Sequence, residues 1–159
     1  MRVLTPDDNL GEEIDRSKFT VFLGGNMKSP WRKEVIDLLS EQDLDMVILD
    51  PTVNDWETKI GSEDADNPAF VAQTNWEHMG LIMADVEVFF YDDKSISPIT
   101  LVEMGLYKSI NSIVHLSDDY EKAAYIRYVS RRFGLPVVQS VKELAQLITI
   151  RYKLACLQE

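Results

Sequence analysis

Cysteine is nearly absent from this chain. A single Cys156 leaves no partner for an intrachain disulfide and rules out a cysteine-rich metal site. Histidine is almost as scarce. His78 and His115 are isolated from each other and from any ligand-like spacing, so both read as structural residues and no metal site is expected. No apolar run approaches the roughly eighteen residues of a membrane span. The opening MRVLTPDDNLGEE lacks the basic-then-apolar pattern of a signal peptide, so a reducing, cytoplasmic setting without a membrane partner is expected. Basic residues are outnumbered, 16 against 27 acidic ones, for a net charge of −11. Such a surface repels a phosphate backbone at long range, which argues against a nucleic acid polymer as partner. GxGxxG and the P-loop pattern are also missing, and with them the usual sequence signs of a dinucleotide or nucleoside triphosphate.

What remains describes one ordinary domain. At 159 residues, 45% hydrophobic and 27% charged, the chain can bury a proper core. Residues 1–18 are polar, with Pro6, Gly11 and several acids, and read as a lead-in arm of little structure; residues 19–159 form the domain. Five short apolar runs predict strands: Phe19 to Leu23, Met46 to Leu49, Val86 to Tyr91, Ser112 to Leu116 and Leu135 to Val138. The last belongs at a sheet edge, because Pro136 has no N–H for a ladder. Helical segments alternate with them. Cap-plus-proline starts are predicted at Ser29-Pro30, Asn67-Pro68 and Ser97-Pro98, and Ser140 caps the last helix. This alternation predicts an α/β fold with a five-stranded, parallel, doubly wound sheet.

Chemistry in such sheets gathers at the carboxyl ends of the strands. Glu103 lies on the second turn of the helix after the third predicted strand, and helical side chains lean toward the helix N-terminus. It can therefore face a crevice, or it can be a solvated residue paired with a lysine. Glu77 shares a stripe with Phe70, Thr74 and Leu81, with Gln73 and Gly80 beside it. A buried carboxylate there must be paired, protonated or put to use, whereas one at the stripe's edge reaches water. Gly24-Gly25-Asn26 follows the first predicted strand and either admits a ligand to the backbone or makes a tight turn. Asp55-Trp56, in the long polar connection from Thr52 to Asn67, either walls a pocket or pins the loop.

The ordered series FLGGNMKSPWRKEVIDLL, DPTVNDW, NPAFVAQTNWEHMGLIMADVEVFFYD, SPITLVEMGLY and RRFGLPVVQSVKEL resembles the nucleoside 2-deoxyribosyltransferase family, from about Phe19 to Leu147. The resemblance implies a flavodoxin-like (Rossmann-like) domain that moves 2-deoxyribose between nucleobases without a cofactor. Its substrates would be a small deoxynucleoside and a free base, and its assembly a homo-oligomer. By position, Glu103 matches the nucleophile and Glu77 the acidic residue that protonates or positions the base. Gly24, Gly25 and Asn26 match the first-turn wall, Asp55 and Trp56 the loop over the base, and Asp92, Ser97 and Thr100 further substrate contacts. Better-known members carry tyrosine near Phe22, aspartate at the position of Ser97, and aspartate rather than glutamate at 77. Two alternatives stand beside transfer: hydrolysis of a deoxynucleoside or deoxynucleotide, and a non-catalytic binding or sensing module.

Overall fold

The computed structural model describes residues 1–27 and 29–157. Strands β1 (Arg2–Leu4), β2 (Phe19–Gly25), β3 (Met46–Leu49), β4 (Val86–Tyr91), β5 (Ile113–Leu116) and β6 (Val137–Val138) alternate with helices. The helices are α1 (Leu10–Glu13), α2 (Trp31–Ser40), α3 (Trp56–Lys59), α4 (Pro68–Met83), α5 (Pro98–Tyr107), α6 (Ala123–Phe133) and α7 (Val141–Cys156). All strand pairs are parallel, in the order β1-β3-β2-β4-β5-β6. From β2 onward this is the flavodoxin-like 2-1-3-4-5 order, whose reversal point lies between β2 and β4.

The sheet has one strand more than the sequence predicts. Arg2–Leu4 pairs with Val47–Leu49 of β3, so the expected lead-in arm supplies an edge strand and a short helix capped by Asn9. Three residues give no periodicity to read, but Leu4 and Leu10 are fully buried and anchor the segment to the core.

Alternation along the strands splits the core in two. Phe22, Leu49, Phe89, Tyr91 and Leu116 pack beneath α4, α5 and α6 through Trp76, Leu81, Met104 and Ile126. Val21, Leu23, Ile48, Val88 and Phe90 pack on the opposite face against Trp31, Val35 and Leu39 of α2 and Leu144 and Ile148 of α7. The predicted helix starts hold at Asn67, which accepts from Ala69 N–H, and at Ser140, which accepts from Glu143 N–H. At Ser97 the start also holds, with Pro98 opening α5, but the expected side-chain cap is absent there and at α2, which starts one residue late. Pro30 itself sits at the start of α2, and Ser97 adopts a left-handed conformation (φ 49°) with no side-chain cap. No helix of the described residues is long and apolar enough to cross a membrane.

Candidate functional site at the carboxyl ends of two central strands

β2 and β4 end side by side, with Gly24 opposite Phe89 and Gly25 opposite Phe90. The two glycines do different things because adjacent strand residues face opposite sides. A Cβ on Gly25 would fall 2.7 Å from Phe90 Cβ and 3.0 Å from Trp31 Cζ2, at a φ of 152° that side chains rarely adopt. Its missing side chain is thus filled by Trp31 and Phe90, whose rings stack at 4.1 Å. Gly24 faces the other way. A Cβ there would fall 2.9 Å from Val88 O, 3.4 Å from the Phe22 ring and 3.7 Å from Glu103 Oε2, so the bare Cα lets that carboxylate lie against the strand end.

Glu103 sits on α5 and is 6% exposed. Among the described residues no side chain or backbone group hydrogen-bonds to it, yet its oxygens are not among the fully enclosed orphan atoms. It is therefore neither solvated nor walled in. Burial pushes its carboxyl up to about 8, repulsion from Glu77 adds to the rise, and the Arg32 cation opposes it. Glu77 on α4 is half-buried; desolvation raises it too, while a 2.7 Å bond from Gln73 Nε2 and the charge of Arg32 pull it down. Its stripe differs from the sequence expectation. The inward residues are Gln73, Trp76, Gly80 and Leu81, and Phe70, Thr74 and Glu77 lie at the edge. Gly80 sets that rotation: a Cβ there would lie 2.9 Å from the Phe22 ring, so α4 turns this position onto the sheet.

Arg32 was not legible as a site residue, and it is the charge both glutamates feel. It is 4% exposed, donates to the carbonyls of Leu23 (2.8 Å), Gly25 (2.7 Å) and Asn26 (3.0 Å), and lies 3.6 Å from Asp50 Oδ1. A signal existed. Arg32 falls on the Val35–Leu39 stripe of α2, at i, i+3 and i+7.

The remaining expected residues divide into two groups. Asn26 and Asp92 are buried and joined across the crevice, Nδ2 donating to Oδ1 at 3.2 Å. Ser97 and Thr100 are buried at the start of α5, with the Thr100 carbonyl accepting from the Tyr91 hydroxyl at 3.2 Å. Proximity to Glu103 raises the Tyr91 hydroxyl, after desolvation and Tyr120. Asp55 and Trp56 stand apart: Asp55 is exposed in a left-handed conformation (φ 60°), Trp56 is half-buried, and neither side chain hydrogen-bonds to the glutamates. A cavity of about 400 Å³ opens beside this loop, between Thr52, Val53, Ile60, Ala72 and Gln73. Gln73 joins it to the carboxylate pair, since its amide also donates to Pro51 O at 3.2 Å. Among the described residues no cluster of three or more acidic, histidine or cysteine side chains could hold a metal.

The arrangement is two carboxyls of raised proton affinity beside a side-chain-free strip of backbone. It can stabilise or trap a cationic carbon and move a proton. A family model described as "Nucleoside 2-deoxyribosyltransferase like" matches residues 18–120. Among solved structures, a crystal structure of a conserved protein from Enterococcus faecalis V583 is similar in fold. Its TM-score is 0.54 at 12% identity, over 84% of this chain and 99% of that one. No curated protein matches.

Proposed function

The chain belongs to the nucleoside 2-deoxyribosyltransferase-like family, and on that premise we propose that it transfers 2-deoxyribose between nucleobases through a glutamyl ester. The observation that carries this reading is Glu103: a buried carboxylate with no hydrogen-bond partner among the described residues, lying against the bare Cα of Gly24. A structural carboxylate would have been satisfied.

In the proposed reaction, ionised Glu103 attacks C1′ of a deoxynucleoside through an oxocarbenium-like transition state. The C1′–N bonding pair leaves with the base, and Glu77 gives that nitrogen its proton. A second base then attacks C1′, Glu103 departs as carboxylate, and Glu77 takes back a proton. The pocket must therefore carry its proton on Glu77 and not on Glu103. Repulsion between the two carboxyls favours a singly protonated pair; burial leaves that proton on Glu103 in the free protein, and the developing cationic sugar is what would favour Glu103 as the anion with the proton on Glu77. The Gln73 side of the 400 Å³ cavity is where the base would lie, leaving the sugar over Gly24. Because Glu77 is half-buried, water can reach the ester, and hydrolysis competes with transfer.

Thymidine or deoxyadenosine mixed with a different free base tests the proposal. Exchanged nucleoside is the expected product, and it should disappear in Glu103→Gln. Base release without exchange would make the protein a hydrolase. Binding without either reaction would make it a sensing module.

Self-association is part of this reading. α4 and α5 carry no Asp, Glu, Lys or Arg besides Glu77 and Glu103, in a chain of net charge −11. Their outer surface shows Met79, Ile82, Ile99, Val102 and Leu106, all exposed. An uncharged apolar face of this kind fits a second copy. Light scattering should give a multiple of 18.2 kDa. The exposed thiol of Cys156 fits a reducing, cytoplasmic location.

A further inference from the structure

We infer that Arg32 is a positioning residue of the site: its guanidinium clamps the backbone on both sides of Gly24 and supplies the buried positive charge that the two glutamates share. The inference rests on reading Glu103 and Glu77 as the working pair.

The clamp is geometric. Nε donates to Leu23 O at 2.8 Å, Nη2 to Gly25 O at 2.7 Å and Nη1 to Asn26 O at 3.0 Å. Leu23 and Gly25 bracket Gly24, so one rigid fork fixes the strand end whose bare Cα lies against Glu103. Trp31 holds the fork from its own side. Its ring lies 4.8 Å from the guanidinium carbon, and its indole N–H donates to Asn26 O at 3.1 Å. A lysine could keep the charge but could not reach three divergent carbonyls at once.

Carbonyl capping alone does not explain a cation here. Burial brings the arginine down to about 10, a direct sign that the charge is held at a cost. What offsets that cost is Asp50 first, then Glu103 and Glu77. The groups that face Glu103 are Glu77 from α4, Tyr91 from β4 and Arg32 from α2, with Asp50 behind Arg32 at the end of β3. Burial and the charge of Glu77 act against ionisation of Glu103, and among the charged groups Arg32 alone favours it. Without the guanidinium the nucleophile would hold its proton still more tightly and the Gly24 strand end would lose its anchor. Asp50 adjusts the effect. Its Oδ1 lies 3.6 Å from Nε and also accepts from Thr52 N–H and hydroxyl, so part of the arginine's field is spent on it.

Carbon-13 titration of glutamate side-chain carboxyls in the whole protein tests this, with the Glu103 resonance assigned by its loss in Glu103→Gln. In Arg32→Gln the Glu103 titration should move up by about one unit or more. In Asp50→Asn it should move down, because the arginine's charge is then less screened. Arg32→Lys should move it less than Arg32→Gln, while base exchange still falls because the clamp is gone. A Glu103 titration unchanged in both Arg32→Gln and Asp50→Asn overturns the inference, even if exchange activity is intact. Should Arg32→Gln not fold, Asp50→Asn and Arg32→Lys decide: no movement in either overturns it. The expected titration shifts in a wild-type protein that exchanges no base would leave Arg32 in this role and sink the transferase reading alone.

Discussion

Two buried glutamates lie on the same face of the sheet, at opposite ends of it, and their surroundings could hardly differ more. Glu87, near the start of β4, is 4% exposed and accepts hydrogen bonds from the hydroxyls of Ser109 and Ser112, both at 2.7 Å. Glu103, on the helix after β4, is 6% exposed and accepts none among the described residues. The loop before β5 is thus stitched to the strand by a carboxylate whose charge is met where it stands. At the other end the fold tolerates a carboxylate that destabilises it. Burial is therefore a poor guide to role. What marks Glu87 as a structural acid, and Glu103 as the proposed working one, is whether the chain has supplied donors for it.

The largest effects should come from exchanging these fates. Glu103→Gln is expected to lower base exchange on the order of a thousandfold or more and yet raise the melting temperature above pH 7. An amide feels neither the desolvation of a charge nor repulsion from Glu77. Glu87→Ala is expected to do the reverse. It leaves Ser112 Oγ, fully buried, and Ser109 Oγ without their acceptor, at a cost of about 2 kcal/mol. Exchange below the new melting point should persist. Denaturant melts and exchange rates of both variants check this. A destabilised Glu103→Gln would break the comparison.

Acid sensitivity sharpens the same contrast. Glu103 is raised from 4.5 to about 8 on folding, so between those values the native state holds a proton that the unfolded chain has released. Stability then falls as pH rises across that window, by an amount on the order of a few kcal/mol, and the slope should flatten in Glu103→Gln to the part that Glu77 contributes. The rate should depend on the pair and not on Glu103 alone. The productive state holds one proton between the two carboxyls, so kcat/KM is expected to rise as the first proton leaves the pair and to fall above about pH 8 as the second leaves. Melts and rates measured from pH 5 to 9 on the same samples would show stability falling through the window while the rate holds until about pH 8.

A smaller effect is expected at the two glycines. Gly25→Ala meets Phe90 and Trp31 at 3.0 Å or less under a φ of 152°, so it should cost about 2–3 kcal/mol or more. Gly24→Ala meets Val88 O at 2.9 Å but has room elsewhere, and should cost about 1–2 kcal/mol. Activity should rank them in the opposite order once stability is corrected for, because only the Gly24 methyl intrudes in front of Glu103. Equal losses of exchange in the two variants would mean that the turn matters merely as a turn.

Much of this was legible beforehand, for identifiable reasons. Five of the strands announce themselves as apolar runs, and the caps at Asn67 and Ser140 follow from residue type. Glu103 and Glu77 could be nominated because a helix after a parallel strand has a known direction. The sixth strand could not, since three residues carry no period and its pairing partner is 45 positions away, Arg2 with Val47. The different duties of Gly24 and Gly25 depend on strand parity, which needs the register. Arg32 was hidden by habit: arginine is rarely fully buried, and its place on an apolar stripe reads as an interruption. Asp55-Trp56 shows the converse. A conspicuous pair in a long loop drew attention, yet the chain leaves that aspartate in water.

Asp55 and Ser97 share one more property, and the smallest predicted effect follows from it. They are the two non-glycine residues with positive φ among the described positions, at 60° and 49°. Such a conformation costs a side chain about 1 kcal/mol, so glycine at either place should raise stability by somewhat less than that, after the loss of chain entropy in the unfolded state. Their consequences for exchange should diverge. Ser97 is buried immediately before the helix that carries Glu103, its N–H is held by Ser95 Oγ at 3.0 Å, and its backbone angles aim the first turn of α5. Asp55 is exposed at the head of a four-residue helix. Ser97→Gly should therefore slow exchange several-fold as α5 gains freedom, and Asp55→Gly should alter it by less than about twofold. If instead Asp55→Gly is the slower variant, the loop around Trp56 closes on the substrate, and the boundary of the site must be drawn to include it.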